Sequence, residues 1–307
     1  MKPTKEQLIL SLKGFAMGTA DIVPGVSGGT VALITGVYDN LINSISSVNK
    51  DFVKLLIGFK IREALIHLNA AFLFPLLAGI FVAIIGMSKI MHFFMSEYST
   101  YTWSLFFGLI LASIIYVGKT IKNIKSPKCL GNILLGTIIG FIIVSLIPVS
   151  TSHSYPMIFL AGAIGICAMI LPGISGSFIL LILGKYLFVT SALKDPFTDQ
   201  NMLIIIVFGF GCLVGILTFS KVFNYLLKEH HNPMMCILLG FMIGSMRKIW
   251  PWKEVIEQKI IRGKVHVLKD AVIFPSEINT QVFIAFALMI SGIIFVFAIE
   301  KYSANES

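Results

Sequence analysis

Two short stretches hold the residue types that can do chemistry: PGVSGGT at 24–30 and PGISGSF at 172–178. A Pro-Gly break followed at once by an apolar run reads as a turn feeding a new helix. The first N–H groups of such a helix lack intrahelical partners and favour an anion. Gly25, Gly28 and Gly29 in one stretch, and Gly173 and Gly176 in the other, permit positive φ and let a phosphate-like anion approach the backbone. Ser27, Thr30, Ser175 and Ser177 add hydroxyl donors, and Pro24 and Pro172 mark the breaks. Asp21, placed just before the first break where the second copy has Met169, is expected either to titrate or to be tied to backbone donors at the turn. Lys89 and Lys221 each follow a long apolar run. They read either as snorkelling ends or as cations that receive a charged headgroup. This is a binding set: it offers no catalytic residue, no metal ligands and no cofactor motif. His230-His231, in a short loop without further ligands, is expected to be solvated.

The elements carrying these stretches are apolar. Of 307 residues, 56% are hydrophobic and 13% charged, with a mean hydropathy of +0.90, whereas a soluble domain carries roughly 25% charged residues. That composition predicts an all-α integral membrane protein embedded in the bilayer and excludes a soluble enzyme. The formal net charge of +9 then points to basic loops against anionic lipid, not to nucleic acid. Spans are expected at 71–94, 101–118, 131–149, 203–227, 233–249 and 280–299, each apolar over about 20 residues. Segments 12–38 and 157–188 are broken near their middles into arms too short to cross, so each is expected to be a re-entrant hairpin. The N-terminus lacks the clean apolar core of a cleavable signal peptide. Cys129, Cys167, Cys212 and Cys236 form no CxxC pair and are expected to be packing residues without a disulfide.

The chain reads as a duplication. Residues 14–38 laid over 162–186 match at 11 of 25 positions, including Pro24/Pro172, Ser27/Ser175 and Tyr38/Tyr186. A second register, shorter by 16 residues, pairs Gly79 with Gly211, Ser88-Lys89 with Ser220-Lys221, and Gly108 with Gly240. Each repeat, 1–150 and 151–307, thus holds one hairpin and three spans. An odd number of crossings turns the second copy upside down, the inverted-repeat plan of secondary transporters. With the N-terminus inside, the basic residues of the first half fall inside as the charge rule asks. The second half breaks the rule, because Arg247 to Glu277 lies outside with seven Lys and Arg. Its KVHVLKDAVIF alternation fits a short surface hairpin. Tyr38 and Tyr186 are expected to anchor hairpin ends at the interface, and the Gly-x3-Gly pairs to serve helix packing.

The two motifs, ADIVPGVSGGTVALITGVYDNLI and CAMILPGISGSFILLILGKY, resemble those of the bacterial DUF368 family, and the resemblance covers essentially the whole chain. It implies a transporter that returns undecaprenyl phosphate (C55-P), the carrier lipid of cell-envelope synthesis, across the cytoplasmic membrane, with protons as a possible coupling ion. Two rival readings remain open. A polyprenyl-pyrophosphate phosphatase would want an arginine after the tip serine and a glutamate cluster to activate water, and neither is present. A carrier or channel for a small soluble anion would use the same two helix starts.

Overall fold

A computed structural model describes residues 5–23, 26–149, 151–193, 195–261 and 264–304. Pro24 and Gly25 lie outside the described residues. The chain forms α1 (Lys5–Ile22), α2 (Gly28–Ile34), α3 (Tyr38–Ser46), α4 (Lys50–Ile57), α5 (Ile61–His67), α6 (Ala70–Glu97), α7 (Ser99–Thr120) and α8 (Pro127–Ser145). There follow α9 (Tyr155–Ile170), α10 (Gly176–Ile182), α11 (Tyr186–Ala192), α12 (Asp199–Glu229), α13 (His231–Ile249), strands β1 (Lys253–Ile261) and β2 (Lys264–Val272), and α14 (Thr280–Ala304).

Among the described residues five helices are long and apolar enough to cross a membrane: α6, α7, α8, α12 and α14. The protein is a multi-pass membrane protein. The sixth expected span, α13, is not among the five; its apolar run is confined between Asn232 and Arg247. The expected helix to 149 ends at Ser145, where Leu146 turns extended two residues before Pro148. The surface hairpin in the basic loop is the antiparallel ribbon β1–β2, whose pairing slips near Glu257. Between α3 and α6, two short helices expose Val53, Leu56, Ile57, Phe59, Ile61 and Ile66. Asn49 starts the first by accepting from the Asp51 and Phe52 N–H groups at 3.0 Å.

The chain divides into two compact units, 1–88 with 149–235 and 89–148 with 236–307, so each unit draws from both sequence repeats. In the first unit α1 lies parallel to α6 and α9 parallel to α12 through glycine contacts. A Cβ on Gly14 would strike the Leu76 carbonyl, and one on Gly162 the Phe208 carbonyl. Likewise Gly79 faces Ser11 and Gly211 faces Phe159. Every residue in these contacts has its counterpart at the duplicated position, so the same contact is made twice. Small residues let backbones approach where lipid supplies no hydrophobic drive between helices.

The second unit crosses the repeats. Its helices α8 and α13 run parallel, with Gly136 against Ile237 near their middles and Arg247 Nη1 donating to Ser145 Oγ at 3.1 Å towards their ends. Helices α7 and α14 run parallel in the same manner, Gly108 on Met289 and Lys119 Nζ over the Phe297 ring at 4.8 Å. Cys129 and Cys236 join the starts of α8 and α13 in a disulfide, which corrects the expectation of four unpaired cysteines. The two residues are 107 positions apart, and spacing along the chain does not reveal that parallel packing brings two helix starts together.

Candidate functional site

The two Pro-Gly stretches come together in the first compact unit. At the first, α1 ends at Ile22 and α2 begins at Gly28. Ser27, in an extended conformation, caps α2 by accepting from the Gly29 N–H at 3.1 Å. The Gly28 N–H donates to Asp21 Oδ1 at 2.7 Å. Asp21 is thus tied to a backbone donor at the turn. A Cβ on Gly28 would collide with Asp21 Oδ2, so this glycine leaves room for a carboxylate beside the start of the helix.

Four hydrogen bonds then join the tips. Ser27 Oγ donates to the Leu171 and Met169 carbonyls at 3.3 and 3.5 Å, Thr30 Oγ1 accepts from the Gly173 N–H at 3.0 Å, and the Tyr38 hydroxyl donates to the Ile170 carbonyl at 3.0 Å. A Cβ on Gly29 would sit 2.8 Å from that same carbonyl. Gly173, after Pro172, takes φ +83°, a conformation that favours glycine. Ser27, Thr30 and Ser175 are all buried. Tyr38 is 2% exposed, so it is a tie between the two broken segments and not the interfacial anchor its type suggests.

The tips differ in one respect that bears on anions. The start of α10 has no side-chain cap, Ser175 Oγ being 2.8 Å from Ser177 Oγ, and Met169 stands where Asp21 stands in the first copy. Gly176 lies against the Gly165 carbonyl and Met169 Cγ. The expected free donors are therefore not found at Gly28 and Gly29, where the chain's own carboxylate and hydroxyl take them.

Lys89 and Lys221 are exposed on α6 and α12. Lys89 belongs to the second compact unit, and no hydrogen bond ties Lys221 to either tip among the described residues. His231 Nε2 lies 3.7 Å from Asp39 Oδ2, both exposed.

Lys185 escaped the sequence reading. Fully buried just after α10, its Nζ donates to the Thr151 and Ser152 carbonyls at 2.9 and 2.7 Å and to His153 Nδ1 at 3.2 Å. These bonds fasten residues 151–153 over the end of α10, where Thr151 Oγ1 also donates to the Leu183 carbonyl at 2.6 Å. The signal was present: Lys185 is a lone cation in an apolar repeat, opposite Val37 of the first copy.

Three comparisons bear on what such an arrangement belongs to. No solved structure matches the chain. Over 98% of both chains it is 38% identical to a protein of Vibrio cholerae named polyprenyl-phosphate transporter. It is 33% identical to a Staphylococcus aureus protein of the same name, over 78% of this chain and 85% of that one. Residues 17–266, which contain both tips, match a family described as VCA0040-like, undecaprenyl phosphate translocase-like. With likeness running through both tips and nearly the whole chain, the chain belongs to that family.

Proposed function

We propose that the protein translocates undecaprenyl phosphate across the bacterial cytoplasmic membrane, returning the carrier lipid for reuse. The observation that carries this reading is full-length likeness to a relative named polyprenyl-phosphate transporter. The helix directions support an inverted-repeat transporter. If α8 and α13 both cross, their parallel packing means that 149–198 and one crossing by α12 must together lead back to the starting side. Segment 149–198 then begins and ends on one side. Its α9 rises about 24 Å, short of a core of about 30 Å, and α10 has only seven residues, which suits a re-entrant hairpin. By the same directions the spans of 151–307 run opposite to their counterparts in 1–150.

In this reading the interlocked tips are the closed centre of the carrier, and Ser27, Gly28, Gly29, Thr30, Pro172, Gly173, Ser175, Gly176 and Ser177 surround the phosphate. Asp21 accepts from the Gly28 N–H. A phosphate taking that donor displaces a carboxylate, and like charges side by side are costly at membrane depth. Protonation of Asp21 removes the repulsion and couples transport to protons. Lys89 and Lys221, one towards each leaflet, receive the headgroup as it arrives or leaves. In a strain lacking every redundant carrier, loss of this protein should strand polyprenyl phosphate on the outer face. An unchanged outer-leaflet pool would sink the proposal.

A further inference from the structure

With the N-terminus inside, Arg247 to Glu277 lies outside and carries seven basic residues against the charge rule. Three of them are gathered at one end of the second compact unit. Arg247, in the last turn of α13, donates to Ser145 Oγ and lies 5.6 Å from the centre of the Phe141 ring. Lys248 Nζ is 3.2 Å from Asp270 Oδ2, with both side chains less than 20% exposed. Lys253 Nζ sits 3.9 Å from the centre of the Trp103 ring and donates to the Lys248 carbonyl. Three cations thus share one ion-paired carboxylate among the described residues.

We propose that Arg247, Lys248 and Lys253 form a receiving site for a phosphomonoester at the membrane surface. Its place on the outer face, and a prenyl phosphate as its occupant, rest on the function proposed above. One cation is enough to hold Asp270 and pin the ribbon; the other two match the charge of a phosphate dianion. Burial, followed by the neighbouring Lys248 and Arg247, lowers the Lys253 ammonium to about 7 despite Asp270, the imbalance that a bound anion would relieve. An aromatic shelf adjoins the cluster, with Trp250 on Phe107 at 5.3 Å and Trp252 on Phe286 at 5.5 Å. Such rings suit the depth at which a headgroup meets its hydrocarbon chain. The nearby cleft of about 460 Å³ is a poorer anion site, since Glu97 and Glu277 line it and no Lys or Arg does.

The test titrates purified full-length protein with geranyl phosphate, inorganic phosphate and geraniol, read by calorimetry. Lys253→Gln and Arg247→Gln should each weaken geranyl phosphate by roughly tenfold. Asp270→Asn should tighten it severalfold, because the substitution removes the carboxylate that pairs with Lys248 and competes with the ligand. That opposite sign keeps the test decisive even if a lysine variant fails to fold. Competition by inorganic phosphate supports a site that reads the phosphate from either source; geranyl phosphate binding without such competition supports the lipid headgroup alone. Equal affinity for geraniol, or three variants that bind like wild type, overturns the site. A wild type that moves prenyl phosphate between leaflets while these variants bind normally rejects the site and leaves the carrier function standing. A wild type that binds geranyl phosphate here but moves no lipid rejects the function and leaves the site.

Discussion

At the scale of single residues, Asp21 is the group to which the proposed mechanism assigns proton coupling. Asparagine retains an acceptor for the Gly28 N–H and removes the charge, so Asp21→Asn should fold normally and transport without dependence on pH. Asp21→Ala leaves that N–H without its partner and should cost about 1–3 kcal/mol of stability, the penalty for an unpaired polar group. The two variants separate coupling from capping: a wild-type pH profile in Asp21→Asn would reduce Asp21 to a structural cap. The sequence located this residue because an acid in an apolar run needs a reason. It could not say which atoms fill the space beside the tip glycines. Room at Gly28 serves equally for a ligand or for a carboxylate seven residues back, and here it holds the carboxylate. Valine at Gly28 would therefore abolish transport for either reason, which makes it a poor probe of phosphate.

At the scale of elements, the helices were legible and their partners were not. Apolar runs marked α6, α7 and α12 to within a few residues, since length and composition govern what can sit in a bilayer, whereas α1 begins at Lys5, seven residues before the expected start of the first broken segment. Pairing depends on which faces carry small residues, and contacts such as Gly240 on Ile133 join segments more than a hundred positions apart. The disulfide of α8 and α13 was missed for the same reason. Non-crossing hairpins predict that residues 39–70 face the inside and 187–202 the outside. Impermeant thiol reagents applied to single-cysteine variants check this. Labelling of both loops from one side would mean that the second broken segment crosses.

At the scale of the whole molecule, the duplicated contacts argue that the two repeats work as a pair. The contact of Gly14 with Leu76 recurs as that of Gly162 with Phe208, and the contact of Gly108 with Met289 recurs as that of Gly240 with Ile133. One set joins helices within a repeat and the other joins helices across repeats, so neither repeat completes its own packing. In the proposed mechanism the closed centre is where Ser27, Thr30 and Tyr38 from one copy bond Ile170, Leu171 and Gly173 from the other. The most direct measurement is leaflet-resolved transfer of polyprenyl phosphate in vesicles reconstituted with the full-length protein, with and without a proton gradient. Carrier function predicts that the protein moves outer-leaflet lipid inward far faster than protein-free vesicles do, and that the gradient changes the rate. Transfer no faster than in protein-free vesicles, from correctly folded protein, would contradict it.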